Sequence, residues 1–389
     1  MTLPAPQINT PDSTGDFNLM IPVAPLREFV IAWPRLLPAR LLAAALSTCV
    51  LGVAAPAHAA PRAVFYLMET QKSVNSFTAH ADKIDLLVPT WYGVDANGLV
   101  NGAPNPQVLA LAKGKRLPVM PIVSMTAGRD GFHKLLTNLD AQREMNAALV
   151  REALAHGYAG FQYDFESIAW TDRDAFTRMF QGTSEALHKA GLQSSVAVVP
   201  NAPGHPDKGV FSKWMWEYWR GAYDIEALAK AGDFISLMTY DQHTRWTAPG
   251  PVDGWRWVNE NLTYALKVVP KNKLSLGIAL YGYRWYTGNP VDEANGKERQ
   301  NISADYIDAD ESIPLAATYG AKIRWDDEDR TSYYWFDRDG MREWVFMPDA
   351  RGFRERYDLV KQSGIDGFSA WVLGAEDPKV WDALPVARR

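Results

Sequence analysis

The chain has 389 residues, 47% hydrophobic and 22% charged, the proportions of a soluble globular protein, and no low-complexity or heptad stretch points to a fibre or coiled coil. A net charge of −5 without any run of lysine and arginine offers no basic track, so a nucleic-acid partner is not expected. The 15 Trp, 16 Tyr and 15 Phe serve either a large core or flat surfaces on which sugar rings stack.

In chain order, the first feature is the apolar run Leu41 to Ala55, preceded by Arg35 and Arg40 and followed by Ala57-His58-Ala59, a small-x-small cleavage pattern. It reads as a signal peptide cut after Ala59, with translation starting at Met1 or at Met20. An uncleaved anchor and a lipoprotein signal ending at Cys49 are the alternatives, but the run is short for a membrane span, so no stable membrane insertion is expected after cleavage. Cleavage would also remove the single cysteine, leaving a mature protein without disulfide or thiol chemistry.

From Ala63 onward, short β-branched and aromatic runs alternate with helical stretches. Eight strands are predicted: Ala63–Met68, Ile84–Trp91, Leu117–Ser124, Gly160–Glu166, Ser194–Pro200, Phe234–Tyr240, Leu274–Leu280 and Gly367–Val372. Between them lie amphipathic stretches such as Asp140–His156, Asp172–Ala190 and Ala227–Ala231, with Gly157 and Gly191 where helix C-caps belong. Eight such units predict an α/β fold, a (β/α)8 TIM barrel. A doubly wound open sheet would carry a glycine-rich turn after its first strand, and Glu69-Thr70-Gln71-Lys72 is not one.

The seventh and eighth strands are separated by far more chain than one helix needs. Lys322–Trp325, Ser332–Asp337 and Glu343–Met347 read as strands there, with a turn at Arg338-Asp339-Gly340. The expected organisation is a leader over 1–59, barrel strands one to seven over 60–285, a small α+β insertion over 286–346 on the rim, and the last helix and eighth strand over 347–389.

The segment most informative for chemistry is Gly160-Phe161-Gln162-Tyr163-Asp164-Phe165-Glu166. Alternation puts Gln162, Asp164 and Glu166 on one strand face and the three aromatics on the other, so two acids point into a barrel interior. Burial and mutual repulsion would keep at least one of them protonated near neutrality, the property of a general acid. A strand-end salt-bridge cluster is the structural alternative. Glycosidases with two catalytic carboxylates set them on opposite sides of the scissile bond, roughly 5–10 Å apart. Residues i and i+2 lie side by side instead, so a nucleophile is expected from elsewhere, and an acetamido group on the substrate would serve.

Residues 159–166 resemble the D-G-x-D-x-D-x-E signature of glycoside hydrolase family 18, the chitinase-like hydrolases, with Ala159 at the first Asp and Gln162 at the second. Spore-cortex-lytic members of that family often carry an amide at the second place. The resemblance extends through Met238-Thr239-Tyr240-Asp241 (M-x-Y-D), Tyr281-Gly282-Tyr283-Arg284-Trp285 after the seventh strand, Gly367-Phe368-Ser369-Ala370-Trp371 at the eighth, and the insertion itself. It implies Glu166 as proton donor, Asp164 as its partner, Tyr240 holding the acetamido carbonyl, and Trp371 flooring the subsite of the cleaved sugar. Gln162, Asp241, Trp91, Tyr92, Tyr281 and Arg284 are the further expected substrate contacts.

Other residues carry less. His243 and Arg245 could line the cleft or be solvated, and Trp214, Trp216, Tyr218 and Trp219 suit a sugar platform, a lid or a local core. No His-Glu cluster has metal-ligand spacing and no Gly-x-Ser-x-Gly elbow occurs, so no cofactor and no metal are expected. The leader predicts export, a monomer is expected, and the resemblance implies a hydrolase of N-acetylglucosamine-containing polysaccharide. Asp85–Gly102 and Val119–Ser124 resemble the peptidoglycan-acting branch and favour peptidoglycan over chitin. The competing expectation is a lectin-like sugar-binding protein of the same fold.

Overall fold

The computed structural model describes residues 60–286 and 304–387, which belong to one compact unit. The expected signal sequence and Cys49 lie outside the described residues.

Eight parallel barrel strands run in chain order: Arg62–Leu67, Leu86–Pro89 (continued by Tyr92–Val94), Ile122–Met125, Gly160–Asp164, Gln193–Val198, Phe234–Leu237, Leu274–Ala279 and Gly367–Trp371. Each pairs with its sequence neighbours, and the first also pairs with the eighth. The second strand closes the ring in two pieces. Leu86–Pro89 pairs with the first strand, Tyr92–Val94 with the third, and a bridge joins Leu87 to Val119. One unbroken strand over Ile84–Trp91 was expected, as was a full ladder over Leu117–Ser124. Pro89, Pro118 and Pro121 lack the N–H a continuous ladder needs, so both strands are interrupted. A short hairpin partner, Val100–Gly102, extends the second strand outward.

Alternation builds the two sides of the barrel wall. Val64, Tyr66, Leu86, Val88, Met120, Ile122 and Phe234 fill the interior, while Phe65, Leu87, Phe161 and Tyr163 pack under the helices. The helix Leu139–His156 starts where the Asn138 side chain accepts from the N–H groups of Asp140 and Ala141, and stops at Gly157, whose φ of 71° suits glycine.

The insertion is an antiparallel sheet with strand order Ala304–Ile307, Gly282–Trp285, Met341–Met347, Thr331–Arg338 and Arg324–Asp326 among the described residues. The helix Ala309–Thr318 covers one face, burying Ala309 and Ala316 with Ile307, Tyr334, Phe336 and Val345. The turn Asp339-Gly340 has φ of 54° and 76°, matching the right-handed twist of a tight hairpin. The expected bounds of 286–346 are therefore corrected: Gly282–Trp285 already pairs within the inserted sheet and its last strand runs to Met347.

A buried ion pair ties the insertion to the barrel. Arg356, on the helix Ala350–Ser363, and Asp253 are each 1% exposed and 3.0 Å apart. The same guanidinium donates to the carbonyls of Asp253, Asp329 and Arg330.

Candidate active site

The fourth strand ends at Asp164, and Glu166 stands two residues beyond, followed by Ser167 with φ of 58°. The sixth strand likewise stops at Leu237, short of the functional residues. There the Thr239 N–H donates to the Leu237 carbonyl and the Tyr240 N–H to the Met238 carbonyl, each over 2.8 Å, making two successive tight turns. The fully buried Thr239 hydroxyl fixes them by donating 2.7 Å to the Gly277 carbonyl. Only glycine fits at 277, since a Cβ would lie 2.5 Å from the Leu237 carbonyl oxygen and 2.9 Å from the Tyr240 ring.

These turns carry Tyr240 and Asp241 toward the acids. Asp241, at φ of 60°, accepts hydrogen bonds from the hydroxyls of Tyr281 at 2.5 Å and Tyr283 at 3.2 Å. Tyr281 also meets Tyr240 edge to face, with centroids 6.3 Å apart. Trp371, half-buried, packs over the interior cluster with its ring 5.2 Å from that of Tyr66.

Desolvation shifts all three acids the same way, joined at Asp164 and Glu166 by nearby negative charge. Burial, reinforced by the charge of Glu166, raises Asp164 well above the usual carboxylate range. Glu166 is raised by burial and by the charge of Asp241, against a hydrogen bond from the Trp219 indole. Asp241 is raised by burial, against the two tyrosine hydroxyls and Arg245. One Asp164 oxygen is buried without a hydrogen-bond partner. Such a cluster retains a proton near neutrality and can deliver it to a leaving oxygen.

Asp164, Glu166, Tyr240, Asp241 and Tyr281 are thus brought together at the barrel mouth. Four other expected contacts are not, and the structure corrects them. Gln162 is fully buried one layer below, donating to the hydroxyls of Ser195 at 2.9 Å and Ser236 at 3.1 Å. Those serines continue through Ser369 to Ser275 across the barrel floor. Tyr92 points outward, its hydroxyl 3.0 Å from that of Tyr158 and 3.2 Å from Glu152 on the surrounding helix. Trp91 is 6% exposed, with its N–H given to Glu69 at 2.5 Å. Both lie at the break in the second strand, where alternation no longer dictates which way a side chain points. Arg284 pairs with Glu343 at 2.6 Å on the helix-covered face of the inserted sheet, because its neighbours Tyr283 and Trp285 take the opposite face.

Several neighbours of the acids went unsingled in the sequence. Tyr223 donates to the Phe165 carbonyl at 2.8 Å, and Tyr66 and Tyr283 complete the aromatic lining. Inward-facing serines on four strands were the visible signal for the Gln162 network. Among the described residues no group of three or more His, Cys, Asp or Glu side chains is arranged to hold a metal ion.

If the Thr239 hydroxyl positions Tyr240, Thr239→Val should lower kcat by on the order of tenfold with little change in KM. It should also cost about 1–3 kcal/mol of stability by orphaning a buried carbonyl. Thr239→Ser should restore both. Steady-state kinetics with thermal melts check this, and an unchanged kcat in the valine variant would refute the positioning role.

A sequence profile of Glycosyl hydrolases family 18 matches residues 62–376. The uncharacterized glycosylase YvbX of Bacillus subtilis is 26% identical, over 84% of this chain and 92% of its own. The cortical fragment-lytic enzyme of Bacillus cereus is 28% identical over 70% of this chain, a match that spans only 60% of that enzyme's length. Among solved structures, a chitinase from Chromobacterium violaceum superposes with a TM-score of 0.73 at 28% identity, covering 83% of this chain and 98% of that one.

Proposed function

The chain belongs to glycosyl hydrolases family 18, and from that premise we propose that it cleaves β-linked N-acetylglucosamine-containing polysaccharide outside the cytoplasm, with peptidoglycan favoured over chitin. The observation that carries this reading is the convergence of Glu166, Asp164, Tyr240 and Asp241, each acid raised by burial, on one barrel mouth. The likeness to a cortical fragment-lytic enzyme supports peptidoglycan. Among the described residues no helix is long and apolar enough to cross a membrane.

In this mechanism the neutral Glu166 protonates the glycosidic oxygen as its bond to the anomeric carbon breaks. Asp164 and Glu166, two residues apart at one strand end, do not face each other across a scissile bond. The substrate's acetamido oxygen is therefore the nucleophile, giving a cyclised oxazolinium and no sugar–enzyme bond. Tyr240 holds that oxygen, and Asp164 orients the acetamido N–H and offsets the developing positive charge. The Glu166 carboxylate then takes a proton from the water that opens the ring, yielding product with retained configuration.

Mass spectrometry of products from purified sacculi and from chitin oligosaccharides tests the reading. Muropeptide fragments with new reducing ends are expected from sacculi, a thiazoline mimic of the cyclised intermediate should inhibit competitively, and a de-N-acetylated sugar should not be cut. A glycosyl ester trapped on Asp164 with a fluorinated sugar would overturn the mechanism. Binding without cleavage of every N-acetylated glycan would replace the hydrolase with a sugar-binding protein.

A further inference from the structure

After the fifth strand, the helix Val210–Met215 passes into a π-helical turn, Trp216–Arg220. Such turns are rare and frequently occur at functional sites. This one brings Trp219 to the acid, with Nε1 donating to Glu166 Oε2 over 3.5 Å. An indole N–H donates and never accepts, so it stabilises the ionised carboxylate more than the neutral acid.

Arg129 holds both partners of that contact. It sits on the helix Gly128–Thr137, after the third strand. Its Nε donates to the Ser167 carbonyl at 3.0 Å and its Nη2 to the Tyr218 carbonyl at 2.8 Å, while the guanidinium lies 4.7 Å from the centre of the Tyr218 ring. Ser167 directly follows Glu166, and Tyr218 directly precedes Trp219. The Ser167 backbone is in the left-handed region, costly for a residue with a Cβ unless its surroundings hold it there. A planar fork spanning two carbonyls supplies that hold.

We propose that Arg129 clamps the acid turn to the Trp219 turn, so that the Trp219 N–H stabilises Glu166 as a carboxylate and sets the pH range over which it can give up and recover its proton. The proposal rests on Glu166 being the acid. Other groups facing Glu166 are Asp164 from its own strand, Asp241 from beyond the sixth, and the hydroxyls of Tyr223 and Tyr240. Burial and the charge of Asp241 raise its proton affinity, Glu166 in turn raises that of Asp164, and both tyrosines are held far above their ordinary range by burial and stay neutral. Trp219 is the group that opposes burial and Asp241, and it acts as a positioning residue through Glu166. Without it Glu166 would be slower to release its proton to the substrate and would stay protonated to higher pH.

The test is a carbon-13 titration of the full chain labelled at glutamate carboxyls, with the Glu166 resonance assigned by its loss in Glu166→Gln. Trp219→Phe should raise the Glu166 midpoint by roughly half to one pH unit, the sign expected when a donor to the charged form is removed. Arg129→Met should move it the same way, and Arg129→Lys, which keeps the charge but not the fork, by less. The alkaline limb of kcat/KM on N-acetylglucosamine oligosaccharides should follow these midpoints. Arg129→Lys is the mildest change and carries the test if Trp219→Phe fails to fold. Midpoints equal to wild type in the folded variants would overturn the clamp. A wild-type protein inactive on every N-acetylated glycan would defeat the hydrolase reading, and the titration would still decide the clamp.

Discussion

Glu166→Gln protein should fold and bind N-acetylated oligosaccharide as the wild type does, yet hydrolyse it about 10²–10⁴-fold more slowly. The amide keeps the shape of the side chain and can still accept from Trp219, but it has no proton to give the leaving oxygen. The raised proton affinity of Glu166 makes this loss large, because burial and the charge of Asp241 keep the carboxyl neutral at a pH where a solvated glutamate would already be ionised. Initial rates on a defined oligosaccharide, with calorimetric binding to the same ligand, separate catalysis from affinity. Rates within a few-fold of wild type would move the acid elsewhere, Asp164 or Asp241 being the remaining carboxyls of the cluster.

Arg356→Met should cost about 3–5 kcal/mol of stability, the usual penalty for stripping the partner from a buried charge. Asp253 would be left in a site that is 1% exposed, and the carbonyls of Asp253, Asp329 and Arg330 would lose their donor. The pH dependence has a definite sign. Burial raises Asp253 to about 6 in the folded protein, against the opposing pull of Arg356. A group raised on folding contributes most stability below its unfolded value and loses it as pH climbs through the folded value. Removing Arg356 raises Asp253 further, so the deficit relative to wild type should be larger at pH 8 than at pH 5. Urea melts of both proteins at the two pH values measure it, and an equal deficit would mean that Asp253 is not the group left unpaired. The loops joined by Arg356 carry Asp253 from the barrel and Asp329 from the insertion, so loosened docking of the insertion should accompany the loss.

Much of the architecture was legible because a strand's side chains alternate with a period set by its own backbone. Phe161, Tyr163 and Phe165 declared an outer face and Asp164 and Glu166 an inner one, and the structure keeps that division. The eight strands, the helix ends at Gly157 and Gly191 and the β-rich insertion were likewise readable from local pattern. The misses fall where the pattern stops. Trp91 and Tyr92 sit at a proline-interrupted strand, Arg284 lies on a strand of the insertion rather than of the barrel, and Gln162 belongs to a layer below the cleft.

The sequence by itself determined which residues share a face and in which order the strands close, since both follow from period and chain order. How deep each face lies, and what meets beyond the strand ends, only the tertiary structure decided. Arg129, Ser167 and Tyr218 come from three separate segments of the chain, and nothing in any one segment encodes the distance to the others. Beyond a strand end no backbone ladder fixes side-chain direction. Packing against distant segments does, and those contacts exist only once the barrel has closed.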